Sequence, residues 1–119
     1  MTLTVIVVAG LFFAGMGILA LAAPARLVAP FGIAVAEPAA RSEVRAVYGG
    51  FGLAVAAVLA VAVTSPDLRP GVLITVGAAL AGMALGRVAS AWDGPTAFYP
   101  NWFYCAVEAV GAAALFLVA

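Results

Sequence analysis

Four long apolar runs dominate this sequence and restrict what it can fold into. The first extends from Leu3 to Ala23, and only Thr4 interrupts it. At about 1.5 Å per residue, about twenty helical residues cross a hydrocarbon core about 30 Å thick. The sequence therefore predicts a single domain, residues 1–119, with membrane-spanning helices at about residues 3–23, 43–64, 72–92 and 98–118.

Composition favours the same fold class. Apolar residues make up 67% of the chain and charged residues 8%, against about 45–50% and about 25% in soluble domains. A soluble fold could not bury this much apolar surface, so a lipid bilayer is expected to be its solvent. The predicted fold class is an all-α integral membrane four-helix bundle.

The charged and sulfur-containing residues exclude several functions. The net charge is zero and the five basic residues are all arginines, which is too few for the basic patch that nucleic acids require. Histidine is absent and Cys105 is the only cysteine, so histidine-ligated metals and dithiol redox chemistry are excluded. We expect no metal site, no cofactor and no nucleic-acid partner.

The connection between the first two helices differs from a simple turn. Residues 24–41 contain three prolines among apolar stretches and are too few to span a membrane as a helix. We expect an interfacial or re-entrant segment here, with an apolar linker resting on lipid headgroups as the favoured form.

Polar residues concentrate on one membrane side. Successive helices alternate in direction, so the start of the second, the end of the third and the start of the fourth share a side. The candidate binding residues there are Glu43, Arg45, Tyr48, Arg87, Ser90, Asp93, Asn101, Trp102 and Glu108.

Depth in the membrane singles out Glu108, which lies near the middle of the fourth helix. An ionisable group at such depth costs at least ~2.5–3.5 kcal/mol unless it is paired or hydrated. We therefore predict a buried interaction of Glu108 with Arg87 or Arg45. The polar cluster either holds the helices together or forms a ligand or catalytic site, in which Glu108 is the best catalytic candidate.

Aromatic and small residues each allow two interpretations. Trp92 and five aromatic residues from Phe98 to Tyr104 are typical of a membrane-interface belt, or could surround a flat hydrophobic ligand. Small residues recur every fourth position on the third helix, at Ala78, Gly82, Gly86 and Ser90. Packing within the bundle is favoured, and homo-oligomer formation through the Gly82/Gly86 face is the alternative.

Two strings carry a family resemblance: SEVRAVYGG from Ser42 to Gly50, and GRVASAWDGP from Gly86 to Pro95, followed by Glu108. Together they resemble a widespread bacterial family of small four-helix membrane proteins of unknown function, itself similar to the DoxX-like group. The resemblance implies a four-helix membrane fold and no particular reaction. The recurring polar positions it implies are Glu43, Arg45, Tyr48, Arg87, Ser90, Asp93 and Glu108. DoxX-like proteins are linked to quinone and thiol chemistry, and this chain lacks the cysteines for the latter.

The expected function is binding of an amphipathic small molecule or lipid, or of a membrane-protein partner as an accessory subunit. The alternative is a membrane-embedded enzyme with Glu108 as acid/base and Arg87 stabilising an anion. A small proton-coupled exporter ranks last, because the first helix has no ionisable side chain. The resemblance implies a bacterial cytoplasmic membrane, and the excess of arginine in the first and third connections favours both termini outside.

Overall fold

The computed structural model describes all of residues 1–119, and every regular element in it is helical. Four of its five helices are long and apolar enough to cross a membrane, as the hydropathy of the sequence predicts, and only the second is short. The helices are α1 (Thr2–Ala22), α2 (Pro24–Val28), α3 (Pro38–Thr64), α4 (Arg69–Trp92) and α5 (Phe98–Val118).

Helix α3 begins earlier than the apolar run that predicted it. Its first residue is Pro38 rather than residue 43, and Glu37 before it is extended. Proline suits the first turn of a helix, where no intrahelical partner awaits its missing N–H. The polar residues Arg41, Ser42 and Glu43 therefore form part of the first two turns of α3.

The helices associate as two pairs, because α1 packs mainly against α3 and α4 mainly against α5. Glycines allow α1 and α3 to cross closely: a Cβ at Gly17 would lie 2.8 Å from the Gly49 carbonyl oxygen and 2.9 Å from the Leu53 nitrogen. A Cβ at Gly52 would lie 2.8 Å from the Phe13 carbonyl oxygen. These neighbours are backbone atoms, so any larger residue would separate the helices.

The small-residue stripe of α4 faces outward, and its expected packing inside the bundle is wrong. Ala78, Gly82, Gly86 and Ser90 are all exposed. A Cβ at Gly82 or Gly86 would meet no atom within 4 Å. Helix α4 instead packs through the large side chains of Leu73, Val76 and Leu80, which are buried in the main core.

Residues 24–37, which we call the cap segment, fold over one end of the bundle. After α2, a single 3₁₀ turn ends at Gly32, whose φ of 72° reverses the chain. Val28 and Val35 are buried with Ala20 and Val44 in a small second core. Burial of the two valines fixes the segment to the helices. Most of its other residues are exposed, and a position at the lipid headgroups stays a prediction.

Candidate functional site

A widened turn in α3 positions the first residue of the site. Between Arg45 and Gly50 the helix takes π-type geometry, a local change that often occurs at functional sites. Tyr48 lies in this turn, half-buried, and faces the space between the two helix pairs.

An ion pair joins α4 to α5 at the same level. Glu108 is only 1% exposed and is the only buried charged residue of the protein. The Arg87 Nε donates to its Oε1 at 2.5 Å, and Arg87 Nη2 donates to Oε2 at 3.3 Å. Of the two arginines considered as partners, Arg87 makes the contact. Arg45 instead donates its Nε to the Leu21 carbonyl oxygen at 3.0 Å.

Two aromatic rings flank the guanidinium of Arg87. Its Cζ lies 5.4 Å from the ring centroid of Phe31 and 5.8 Å from that of Tyr104. These distances fall within the range of cation–π interactions. Since Phe31 belongs to the cap segment, the cap reaches the ion pair directly.

A cavity of about 310 Å³ lies between the two helix pairs, beside the ion pair. Every helix and the cap segment contribute to its wall. The apolar lining includes Phe12, Met16, Leu19, Leu27, Ile33 and Met83, and the polar lining is Tyr48, Arg87, Tyr104 and Glu108. Methionine side chains adapt to irregular shapes, so part of this wall is adjustable.

Six of the nine candidate binding residues lie outside the cavity. Glu43, Arg45, Ser90 and Asp93 are exposed, and Asn101 and Trp102 are half-buried elsewhere. The three that line it are Tyr48, Arg87 and Glu108. Sharing a membrane side is therefore not enough to share a site, because each helix presents only one face to the cavity.

Three arginines donate hydrogen bonds to backbone carbonyls. Arg41 donates to Val35 and Ala36 of the cap segment, at 3.1 and 2.8 Å. Arg69, at the other end of the molecule, donates to Ala62 and Val63 at 2.8 Å each. With Arg45 on Leu21, these bonds satisfy carbonyls at helix ends and in the cap, where intrahelical partners are missing.

Phe31 and Tyr104 are the site residues that polarity alone misses. The sequence signal for Phe31 is its position between Pro30 and Gly32, a turn that the structure uses to place the ring on Arg87. Tyr104 belongs to the aromatic group expected to form a belt, yet its ring turns inward to the cavity. Trp92, by contrast, is 90% exposed. Cys105 is half-buried, and its Sγ lies 3.6 Å from the Ala84 carbonyl oxygen.

These features define a small helical protein with four helices of membrane length and a buried ion pair in the wall of a cavity. The chain belongs to the family described as a domain of unknown function, DUF4345, whose model matches residues 1–119. The predicted membership in a family of unknown function is confirmed at that level. No curated protein and no solved structure matches the chain.

Proposed function

We propose that this protein is a multi-pass membrane protein that binds an amphipathic small molecule or lipid in the cavity. The observation that carries the proposal is the cavity itself, about 310 Å³ with mainly apolar walls and four polar side chains. Ligand sites typically have such walls, a few polar groups and volumes of about 300–1,000 Å³.

The charges of the site favour a ligand with a neutral polar head. Arg87 and Glu108 neutralise each other across their double contact, and a charged ligand would bring an uncompensated charge into apolar surroundings. The Tyr48 hydroxyl makes no hydrogen bond to another group of the protein. It is therefore free to bind a ligand oxygen, as are the N–H groups of Arg87 that Glu108 does not occupy.

Catalysis by Glu108 has less support. Arg87 donates to both carboxylate oxygens, so taking a substrate proton would weaken a charge-assisted double contact. An accessory-subunit role would use the exposed polar residues Glu43, Arg45, Ser90 and Asp93 as an attachment point. The ion pair, Tyr48 and Tyr104 face inward to the cavity and would take no part in it. Binding therefore ranks first, the enzyme second and the proton-coupled exporter last.

The membrane location and the orientation belong to the same proposal. Arg26, Arg41, Arg45 and Arg87 lie towards the end that carries the cap segment, and only Arg69 lies towards the other. Because arginine is in excess on cytoplasmic segments, this distribution supports an orientation with both termini outside, and the family resemblance supports a bacterial cytoplasmic membrane. The resemblance to the DoxX-like group also belongs here, and rests on the strings around Arg45 and Arg87.

Native mass spectrometry of gently extracted protein tests the proposal. We expect a stoichiometric adduct of small mass on the wild-type chain. Tyr48→Phe should fold normally and hold the adduct about threefold to tenfold more weakly, the effect of one lost hydrogen bond. Tyr99→Phe is the matched control, because that exposed ring lies outside the cavity. Bare protein in every extraction would contradict ligand binding, and a co-purifying protein would favour the accessory role.

A further inference from the structure

A second concavity, which we call the seam groove, runs between α1 and α5. It measures about 530 Å³ and lies in the half of the molecule that holds both chain termini. Val5 and Val8 of α1 and Val110 and Ala114 of α5 line it, and Thr4 is its only lining residue with a polar side chain. A space with these walls offers nothing to a polar group and suits hydrocarbon.

The seam groove adjoins the cavity at the ion pair. The Phe12 side chain lines both spaces. On α5, Val107 of the groove is the direct neighbour of Glu108 of the cavity. The two spaces are therefore neighbours along the seam, and Phe12 belongs to the walls of both.

The walls of the groove have matching lengths. On α1 they extend from Phe13 to Thr4, and on α5 from Ala106 to Leu115. Each wall is about 13.5 Å long at the rise of an α-helix. The groove is thus a trough with one end at the polar site and the other near the chain termini.

Resting on the proposed function, we propose that the seam groove holds the hydrocarbon tail of the molecule whose head binds beside Arg87 and Tyr48. The cap segment closes the other side of the head site with Leu27, Phe31 and Ile33. A tail therefore leaves the cavity past Phe12 and along the seam. The ligand class is a neutral head with hydrogen-bond acceptors, joined to a single hydrocarbon tail.

Two esters of 4-hydroxybenzoic acid allow binding of the head and binding of the tail to be tested separately. The ethyl and decyl esters share a neutral head and differ only in tail length. Their binding is measured on protein in phosphatidylcholine nanodiscs at pH 6.5, against empty nanodiscs for partition into lipid. Ala114→Phe fills the groove, and Ala106→Phe fills it closer to the cavity. Ala113→Phe is the matched control, on the same helix, exposed and outside the groove.

We expect both groove-filling variants to weaken binding of the decyl ester about tenfold, equivalent to about 1.4 kcal/mol. Binding of the ethyl ester should change by less than about twofold, and Ala113→Phe should alter neither. If the groove-filling variants leave decyl binding unchanged, the tail does not lie in the groove. If Tyr48→Phe still weakens binding of the ethyl ester, the cavity would remain the site of the head.

A different result would show that the proposed function itself is wrong. If the wild-type protein does not bind the ethyl ester, and decyl binding is insensitive to Tyr48→Phe, the cavity is not a head site. The proposal for the tail then fails as well, because the decyl chain would bind the groove without any head bound in the cavity.

Discussion

At the scale of single residues, the site depends on one carboxylate that is almost fully buried. Glu108 is buried on α5, and its charge is compensated by Arg87 on α4. Its position in the middle of an apolar run is enough to predict a partner, since unpaired charge in such surroundings is costly. The choice between Arg87 and Arg45 depends on the fold, because Arg45 sits at the edge of the cap, where the Leu21 carbonyl is nearer.

Removing the charge of Glu108 should strongly destabilise the protein. Glu108→Gln keeps the size of the side chain and leaves the Arg87 guanidinium without its counter-charge. We expect a loss of about 3 kcal/mol, the low end for a broken buried pair, because the Arg87 side chain is 22% exposed. Unfolding in a fixed detergent measures the change.

A double variant provides the control for that experiment. Adding Arg87→Met to Glu108→Gln removes the unpaired charge and should restore most of the lost stability. A Glu108→Gln protein as stable as the wild type would mean that the ion pair contributes nothing to the fold.

At the scale of elements, the α1/α3 pair depends on backbone contact rather than on large side chains. Gly17 and Gly52 let the two helices approach until backbone atoms touch. Small residues of this kind replace the hydrophobic effect as the basis of helix association in lipid. The glycines on the outer face of α4 have no such neighbours.

Adding one methyl group should therefore destabilise the protein at Gly17 and have little effect at Gly82. Gly17→Ala forces α1 and α3 apart, and we expect a loss of about 1–3 kcal/mol, as for other overpacked sites. Gly82→Ala meets open space and should stay within about 0.5 kcal/mol of the wild type. Unfolding midpoints of the two variants in one detergent provide the comparison, and equal midpoints would contradict the packing described for Gly17.

The cap segment should loosen when its arginine is removed. Arg41→Gln eliminates the bonds to Val35 and Ala36, so amides in residues 29–37 should exchange hydrogen about tenfold faster, as expected for about 1.4 kcal/mol. Exchange in α4 and α5 should not change. Arg26→Gln is the control, because Arg26 is exposed on α2 and takes part in none of these bonds. Uniform acceleration over the whole chain would indicate general destabilisation instead.

The sequence predicts the number of long helices, but it does not predict which face of each helix packs against its neighbours. A run of about twenty apolar residues is a property of the chain itself and survives folding. In α1, apolar side chains occur all around the helix, so no stripe shows which side packs. On α4, small residues recur every fourth position and predict that Gly82 and Gly86 lie inside, but that spacing does not show which face packs. Phe31 was not predicted as a site residue because it lies in a turn, where no helical period applies.

At the scale of the whole molecule, two helix pairs meet along an incomplete seam. Helices α1 and α5 contact each other far less than α1 contacts α3 or α4 contacts α5. The cavity and the seam groove both lie on this boundary. Both of these spaces thus result from how the two pairs dock.

Labelling of engineered cysteines tests the orientation of the whole chain. In a Cys105→Ala background, Asp67→Cys places a thiol in the turn between α3 and α4, and Asp93→Cys places one after α4. With both termini outside, a membrane-impermeant maleimide added to intact cells should label position 67 and spare position 93. Permeabilised cells should label both. The reverse pattern in intact cells would invert the orientation.

The incomplete seam also bears on where a bound molecule comes from. The groove between α1 and α5 opens along helices whose outer surfaces are mostly apolar. On the proposed function, a molecule that enters there comes from the lipid and does not pass through water, so its solubility in water would not limit binding. Occupancy would instead follow the mole fraction of that molecule among the surrounding lipids, and the protein would sense the make-up of its own membrane.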